Sequence, residues 1–496
     1  MTPPTLTENP FTLGVASGDP LPDSVVLWTR LAPHPHEPGN GLPTQGNVPV
    51  RWELSADEHF RRVEQSGTVC APAQDNHTVH LDLRGLEADH VYWYRFHAGR
   101  WTSPVGRTRT APAADALVGE ARLGLISCQQ YDEGYYTALR HLADEDLDAV
   151  FFVGDYIYEN AINAQAGARR YPADRALPDF YNHWTVNLDD FRQRYALYKT
   201  DPDLQAAHAA HPWYVTWDDH EVENNYAGDI SQDNLPADVF RARRAAAYRA
   251  YWENMPLRRP QRPNGPDMRL YRRFQYGQLA QFDLLDTRQY RSDQAYGDGW
   301  RYPGPESENP ARTLTGAEQE RWLLDGFRNS TATWNLVPQQ VCFARRKETT
   351  AARSKLSMDS WDGYPASRQR VLAGVEQAGI ENFVVLTGDD HVHYALDIKK
   401  DFDNPASRTL GVEIVGTSVS SGFDGEDRPE DWSTMTAANP HMKYYNGRRG
   451  YVIVSLDEER LRADFCTLPG VITPGAPVTT DASFVSEAGA PGLRPA

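Results

Sequence analysis

The chain has 496 residues, and 40% of them are apolar, which is enough to bury a sizeable core in more than one domain or in one large enzyme. A formal net charge of -18 argues against a nucleic-acid partner, which would need a basic surface, and provides no attraction to anionic membranes. No apolar run is long enough to cross a bilayer. The cysteines form no CxxC pair and no disulfide framework, and the sequence does not decide whether one bridge forms among Cys70, Cys128, Cys342 and Cys466.

Short β-prone segments separated by turns occupy the first part of the chain. The predicted strands are 11–20, 24–30, 48–54, 78–83 and 91–96. Pro49 would be confined to a sheet edge or to the start of its strand, because proline donates no hydrogen bond. We therefore predict a small all-β domain of the immunoglobulin or fibronectin type over residues 1–112, acting as a scaffold or as a wall of the functional site.

After a linker at 110–114, predicted strands alternate with predicted helices. The predicted strands are 122–127, 150–153, 270–274, 279–285 and 381–386, and the predicted helices are 135–145 and 237–254, with a third opened by a capping box at 315–318. The Pro-, Gly- and Ala-rich tail after Leu468 is predicted to be loop. We expect a layered α/β body over residues 113–496.

Side chains able to bind a metal follow two neighbouring predicted strands. Asp155 and Tyr158 are hard oxygen donors just past a buried run, and Gly154 allows the tight turn between strand and loop. Cys128 follows the preceding strand, where a thiolate can bind iron or zinc. Taken singly, each has a structural alternative: a capping aspartate, a packed tyrosine or an inert buried cysteine. Together they predict a transition-metal site.

Two later segments repeat this arrangement. Residues 214–226 place several acids and a histidine directly after a short strand, where so many charges are costly unless a cation neutralises them. Residues 383–393 form a buried run that ends in Gly-Asp, followed by His391 and His393. In an extended segment these two histidines point to the same side, so both could reach one centre. A single ligand beside a hydrogen-bonded core histidine explains the pair equally well.

The order of these motifs resembles one family across nearly the whole chain. Ser127-Cys128, 154–159, 217–221 and 388–391 resemble the motifs of PhoD-like alkaline phosphatases and phosphodiesterases, as do 11–30, 314–319, 361–364 and 439–441. These enzymes belong to the metallophosphoesterase group that includes purple acid phosphatases. The resemblance implies an α/β fold, with a calcineurin-like β-sandwich flanked by helices behind the N-terminal all-β domain.

The resemblance also implies an iron (Fe³⁺) site with an accompanying calcium site, where manganese or zinc are alternatives to calcium. The implied ligands are Cys128, Asp155, Tyr158, Asp219, Asn225, Asp389 and His391. Asp155 would bridge the two ions. His393 is a less certain ligand, and whether His393 or His441 binds a metal stays open.

The expected activity is hydrolysis of phosphate mono- or diesters by a metal-bound hydroxide, without a covalent enzyme intermediate. His220 could protonate the leaving group or a phosphate oxygen, or it could orient a ligand. Arg288 could bind phosphate through both guanidinium nitrogens, or it could form an ion pair with Asp286 or a neighbour. A serine nucleophile at 418–421 is not expected, because no Gly-x-Ser-x-Gly motif is present.

Two alternatives to this activity stay open. One is a phospholipase D, since certain bacterial enzymes of that activity resemble this family. The other is a binding protein with a degenerate phosphoesterase domain. The residues Met1–Pro4 lack a basic region followed by an apolar segment, so the protein is either cytoplasmic or has lost a signal peptide. Because several family members are secreted, we predict an extracellular monomer whose signal peptide has been removed.

Overall fold

The computed structural model describes residues 6–162, 167–170 and 177–496, so the prediction made from Met1–Pro4 lies outside the described residues. Its strands are β1 Val15–Leu21, β2 Ser24–Arg30, β3 Asn47–Ser55, β4 Val63–Pro72, β5 Thr78–Arg84, β6 Val91–Ala98, β7 Trp101–Thr102, β8 Gly106–Arg109, β9 Ala121–Ile126, β10 Ala149–Val153, β11 Pro212–Thr216, β12 Arg272–Tyr276, β13 Ala280–Leu284, β14 Trp300–Arg301, β15 Trp334–Pro338, β16 Leu356–Ser357, β17 Phe383–Thr387, β18 His393–Lys399, β19 Thr409–Val415, β20 Met442–Asn446, β21 Gly450–Leu456, β22 Arg460–Thr467, β23 Thr479–Glu487 and β24 Ala490–Pro495.

The helices of the described residues are α1 Thr137–Asp144, α2 Leu188–Lys199, α3 Pro202–Ala210, α4 Ala237–Asn254, α5 Gly316–Asn329, α6 Pro365–Ala378 and α7 Trp432–Ala438. None of the helices in these residues is long and apolar enough to span a membrane.

Two large sheets pack face to face and form the body of the protein. One has ten strands in the order β24-β23-β22-β21-β9-β10-β11-β1-β2-β5, and the other has seven in the order β12-β13-β15-β17-β19-β18-β20. Their facing sides share one apolar core, in which the rings of Phe151 and Phe282 meet edge to face at 5.1 Å between centroids. The helices cover the outer sides, so the predicted α/β sandwich flanked by helices is confirmed.

The near-continuous apolar strands in the middle of each sheet follow from this layering. Phe151 of β10 faces the other sheet, whereas its neighbour Phe152 packs with helices α1 to α4. On the other side, Val384 of β17 faces the shared core, whereas Val385 packs against α5 and α6. Strands buried on both faces need apolar residues at every position, which is why the sequence shows runs here and not alternation.

The N-terminal strands form an all-β sandwich that is continuous with the body. A five-stranded sheet of β3, β4, β6, β7 and β8 packs on β1, β2 and β5 through its own apolar core. The strand β1 pairs with β11 in parallel, so one half of this sandwich extends the ten-stranded sheet. Pro49 lies near the start of β3, where β3 is paired with β4 alone, as the missing donor requires. The domain boundary at residue 112 stays a prediction.

Two local predictions were wrong. The tail after Leu468 was predicted to be loop, but β23 and β24 add two antiparallel strands to the edge of the ten-stranded sheet. The predicted capping box of α5 is absent, since the Thr315 side chain caps nothing and the Thr313 hydroxyl accepts from the Gly316 amide at 2.9 Å. Both errors arose because local composition does not report the long-range pairing or the loop geometry that decided these segments.

Candidate metal centre

The predicted ligands lie where the strands of both sheets end. Cys128, Asp155 and Asp219 follow β9, β10 and β11, which are parallel neighbours in the ten-stranded sheet. Asp389 and His391 follow β17 of the seven-stranded sheet. Because the carboxyl ends of parallel strands meet at one edge, the four sequence motifs converge at one end of the sandwich.

Tight turns carry these side chains. The backbone of Cys128, Asp155, Asp389 and His391 has positive φ values of 57°, 59°, 63° and 57°. Such conformations cost about 1 kcal/mol or more for residues other than glycine and are often found at functional sites. At Gly154, with φ of 113°, an added Cβ would lie 2.3 Å from the Asp218 Cβ. The loops after β10 and β11 therefore approach each other as closely as a glycine permits.

The first group of candidate ligands surrounds Asp155. Ligand atoms of Cys128, Asp155 and His391 all lie within 4.8 Å of one another. The Tyr158 hydroxyl donates to Asp155 at 2.9 Å, accepts from Ser421 at 2.8 Å and lies 3.2 Å from the Nε2 atom of His391. A thiol, a carboxylate, a phenol and an imidazole thus converge on one point.

Two further groups extend from the first. Ligand atoms of Asp155, Asp219 and His220 lie within 4.8 Å of one another, as do those of Asp218, Asp219 and Asp389. Asp155 belongs to the first two groups and Asp219 to the last two, so the three groups form a chain that could hold more than one cation. Asp218 was not among the predicted ligands, although the doublet it forms with Asp219 at the end of β11 was a usable signal.

Several carboxylate oxygens of the centre have no hydrogen-bond partner within the described residues. One carboxylate oxygen each of Asp155, Asp218 and Asp219 is buried without a hydrogen-bond partner. Burial, reinforced by neighbouring acids, raises the pKa of Cys128 and of Asp155 well above their usual values. Burial also raises the pKa of Asp389 to about 7, although Arg288 opposes the shift. A buried cation would satisfy these oxygens and favour the anionic forms, so this donor set fits a metal.

One side of the centre is open to solvent. Asp389, His391 and His220 are partly exposed, whereas Cys128, Asp155 and Asp219 are buried. A substrate therefore has access to the centre from the side of the partly exposed residues.

Glu221 connects two of the ligand-bearing loops. Its buried carboxylate accepts from the backbone amides of Asp155 at 3.1 Å, Tyr156 at 2.6 Å and Asp218 at 2.9 Å. Burial raises the pKa of Glu221 to about 7, although these three donors oppose the shift. The residue was part of a recognised motif but was given no role, because sequence does not show which backbone amides a carboxylate reaches.

His220 is held by Glu159 and Tyr158. Its Nδ1 atom lies 2.7 Å from a Glu159 carboxylate oxygen, and its ring stacks on that of Tyr158 with 4.2 Å between centroids. Burial opposes a positive charge on His220, yet Glu159, Asp219 and Asp155 raise its pKa well above the usual value. A ring nitrogen of His220 lies within 4.8 Å of ligand atoms of Asp155 and Asp219. This geometry suits a proton donor that is oriented by a carboxylate.

Arg288 lies among the acids of the centre, and its predicted contact with phosphate stays a prediction. Its side chain is fully buried, and it donates to Asp218, to both oxygens of Asp359 at 3.0 and 2.9 Å, and to Asp389 at 3.2 Å. These contacts correspond to the alternative prediction of an ion pair with a neighbouring acid. The Asp286 carboxylate accepts from the Arg288 backbone amide at 3.1 Å and not from its guanidinium. The guanidinium thus donates to three carboxylates at once, two of which, Asp218 and Asp389, belong to the candidate ligand groups.

The remaining candidate ligands differ in the hydrogen bonds that they form. Both ring nitrogens of His393 are engaged, with Nε2 3.3 Å from the Cys466 carbonyl and Nδ1 accepting from the Thr417 amide at 3.1 Å, so His393 is a satisfied core histidine. His441 bonds the Arg345 carbonyl, outside the three groups. Asn225 donates its backbone amide to Asp219 at 2.6 Å and its side-chain amide to Asp298 at 2.7 Å.

The cysteines form no disulfide among the described residues, and Cys70, Cys342 and Cys466 lie away from the centre. Cys342 and Cys466 are buried, while Cys70 is exposed on β4. Cys128 is therefore the one cysteine of the described chain that reaches the candidate ligands.

Comparisons with known proteins give consistent results over both parts of the chain. The family profile described as PhoD-like phosphatase matches residues 123–465, and that of the PhoD-like phosphatase N-terminal domain matches residues 2–112. The chain is 50% identical over 492 residues to alkaline phosphatase D of Bacillus subtilis (strain 168), covering 99% of this chain and 83% of that protein. A solved structure described as PhoD superposes with a TM-score of 0.95 at 49% identity, covering 99% of this chain and 93% of the other. The chain therefore belongs to the PhoD-like phosphatase family.

Proposed function

We propose that the protein is a metal-dependent phosphoester hydrolase of the alkaline phosphatase D type. The observation that carries the proposal is the chain of three ligand groups linked by Asp155 and Asp219, whose buried oxygens lack partners within the described residues. The relative that shares half of its sequence is named alkaline phosphatase D. The alternatives of a phospholipase D and of a degenerate binding protein are not favoured, since the relative that matches 99% of this chain is named a phosphatase and every implied ligand position holds a competent residue.

The ligand chemistry supports two different cations. Cys128, Tyr158 and His391 around Asp155 are donors that suit iron, because thiolate and phenolate oxygen stabilise the ferric ion. Asp219, Asn225 and Asp389 offer oxygen donors of the kind that calcium prefers, and manganese or zinc could occupy the same place. When bound, such cations neutralise the charge of a phosphate ester and lower the pKa of a coordinated water.

The protein's own groups would complete the reaction. His220, oriented by Glu159, is placed to donate a proton from Nε2 to the leaving oxygen. Arg288 would keep Asp218 and Asp389 in position without contacting the substrate. Glu221 would hold the loops of Asp155 and Asp218 at their mutual distance through three backbone hydrogen bonds.

The proposal is tested by elemental analysis of the purified protein together with hydrolysis of a nitrophenyl monoester, a bis-nitrophenyl diester and phosphatidylcholine. We expect iron with a second metal, and hydrolysis of one of the first two esters. Preferred hydrolysis of phosphatidylcholine would indicate the phospholipase instead. A protein that binds neither iron, manganese nor calcium and cleaves none of the three would contradict the catalytic function.

A matched pair of variants distinguishes a loss of metal binding from a general effect on folding. Asp155→Asn removes the carboxylate shared by two ligand groups, and we expect at least about 100-fold lower activity and reduced metal content. Asp325→Asn makes the same chemical change at an exposed position of α5, where the carboxylate pairs with Arg328 only, and should leave both measurements unchanged.

As part of the same proposal, the protein acts outside the cell as a monomer on a small phosphate mono- or diester. The family resemblance supports this, and the acidic net charge of -18 supports the absence of a nucleic-acid partner. Light scattering after size-exclusion chromatography and fractionation of the producing cells test the two statements separately.

A further inference from the structure

The segment 418–421 passes beside two of the candidate ligands, Cys128 and Tyr158. The Cys128 carbonyl accepts from the backbone amides of Val419 at 3.1 Å and of Ser421 at 3.4 Å. The Ser421 hydroxyl donates to the Tyr158 hydroxyl oxygen at 2.8 Å, and Ser421 is fully buried. Ser421 belongs to none of the three ligand groups, so its hydroxyl is a contact from outside the ligand set to the oxygen of a candidate ligand.

A second hydrogen bond directs the Ser421 proton toward Tyr158. The backbone amide of Gln130 donates to the same Ser421 Oγ atom at 3.0 Å. Because a backbone amide only donates, Oγ accepts there through a lone pair, and its single proton remains for the Tyr158 oxygen. The Tyr158 hydroxyl gives its own proton to Asp155 at 2.9 Å. Ser421 is therefore the donor of this pair, and Tyr158 is the acceptor.

The main chain of Ser421 is fixed by groups that are not metal ligands. Its carbonyl accepts from the Ser418 hydroxyl at 2.6 Å and from the guanidinium of Arg449. Arg449 is buried and also donates to the Ser418 hydroxyl and to the Gly447 carbonyl. The Ser421 hydroxyl is therefore held in its direction by the protein itself, as a preorganised donor requires.

A hydrogen bond at this oxygen affects the bond between tyrosine and iron. A tyrosine that binds ferric iron does so as a phenolate, whose oxygen shares its negative charge with the ion. A donated hydrogen bond draws electron density away from the ion, because the proton competes for the same lone pairs. Hydrogen bonds from outside the ligand set are one means by which a protein adjusts the reduction potential of bound iron.

We propose that Ser421 is a positioning residue of the iron site, which holds the Tyr158 oxygen by a hydrogen bond and limits the charge that this oxygen gives to iron. The proposal rests on the iron site of the proposed function. Ser421 forms no bond to the metal or to the substrate, and its proton remains on Oγ. Without this hydrogen bond, the iron is harder to reduce and the phenolate absorbs at a longer wavelength.

Ser421→Ala removes the donor, and Ser420→Ala is its matched control. Ser420 is equally buried in the same segment, but its hydroxyl donates to the Gln130 carbonyl at 2.8 Å and not to Tyr158. The original protein and both variants are loaded with ferric iron, and their iron content, absorption spectrum and reduction potential are measured. We expect the phenolate-to-iron charge-transfer band of Ser421→Ala to lie at a longer wavelength than the bands of the other two proteins. Its reduction potential should be more negative, because the phenolate then gives more charge to the ion.

The outcomes distinguish this proposal from the proposed function. If the iron-loaded original protein shows no phenolate charge-transfer band, both the iron site and this proposal are wrong. If that band is present, and Ser421→Ala matches Ser420→Ala in band position and in potential, the role of Ser421 alone is wrong.

The iron content provides a second criterion. Loss of iron from Ser421→Ala alone, at an unchanged melting temperature, would support the positioning role, because hydrogen-bond partners of metal ligands typically contribute about 10–100-fold to metal affinity. Equal loss of iron from both variants would contradict it, since Ser420 does not donate to Tyr158.

Discussion

At the scale of single residues, the candidate metal centre depends on backbone conformations that amino-acid type alone did not reveal. Cys128, Asp155, Asn225, Asp389 and His391 all have positive φ. The sequence indicated such a turn only at Gly154, where glycine makes it inexpensive. The other turns are maintained by the surrounding structure, notably by the hydrogen bonds that Glu221 accepts from the loops after β10 and β11.

The pairing of Glu159 with His220 predicts that the effect of a Glu159 variant on kcat depends on the leaving group of the ester. In Glu159→Gln the carboxylate that favours the protonated imidazole is lost. We expect kcat to fall about 100-fold for an alkyl phosphodiester, whose leaving oxygen needs a proton, and much less for a nitrophenyl ester. Steady-state kinetics with the two esters measure the difference.

A double-variant cycle controls this prediction. If Glu159 acts through His220, adding Glu159→Gln to His220→Gln should lower kcat no further. If the two variants lower kcat additively, or if kcat falls equally for both leaving groups, Glu159 does not act through His220.

The hydrogen bonds of Arg194 predict that this residue stabilises the loop after Asp155 and Tyr158. Its buried guanidinium donates to the carbonyls of Tyr158, Asn160 and His183, a set that a single ammonium group does not match. We expect Arg194→Lys to lower the free energy of unfolding by about 2 kcal/mol and to speed metal loss to a chelator. Urea unfolding and chelator kinetics measure these effects. Arg321→Lys on the exposed face of α5 is the control, and equal behaviour of the two variants would contradict the role.

At the scale of elements, strongly patterned segments were predicted well and segments decided by long-range pairing were not. The helix at 237–254 begins and ends as predicted, because a run rich in alanine and arginine follows Pro236. The strands before Cys128, Asp155 and Asp389 were recognised as apolar runs that end in polar loops. The C-terminal strands were missed, because their Pro- and Gly-rich surroundings resemble loop and their partner β22 supplies the pairing.

These C-terminal strands predict a measurable contribution to stability. Phe484 of β23 is buried and packs with Tyr444 and Phe465 at 5.8 and 6.1 Å between ring centroids. We expect Phe484→Ala to lower the free energy of unfolding by about 3 kcal/mol, since it leaves a cavity in the shared core. Urea denaturation measures the change. Val63→Ala, at a side chain that is 43% exposed, should have little effect, and a similarly small effect for Phe484→Ala would show the tail to be loosely attached.

At the scale of the whole molecule, buried neutral histidines predict a loss of stability in acid. Burial lowers the pKa of His211 and of His441 to about 4, although each ring bonds a backbone carbonyl. The unfolded chain binds these protons near pH 6.5, so the stabilisation is complete above that pH and is lost as the pH falls toward 4. From pH 7.5 to pH 5, each histidine should reduce the free energy of unfolding by about 2 kcal/mol.

Urea unfolding at several pH values tests this dependence. His211→Gln should reduce the loss between pH 7.5 and pH 5 by about 2 kcal/mol, because glutamine can donate to the Leu142 carbonyl without titrating. His59→Gln, at an exposed position, is the matched control. An identical pH dependence in all three proteins would mean that other groups govern the acid transition.

The sequence by itself determined the fold class, the family and the candidate ligands, because apolar runs ending in Cys128, Asp155, Asp219 and Asp389 carry local information that does not depend on distant partners. Only the tertiary structure decided the hydrogen-bond partners of Arg288, Glu159 and Glu221, the core position of His393 and the continuity of the N-terminal strands with the ten-stranded sheet. Each of these depends on which groups meet across the sandwich. Such contacts join residues far apart along the chain, and the spacing of residue types does not encode them.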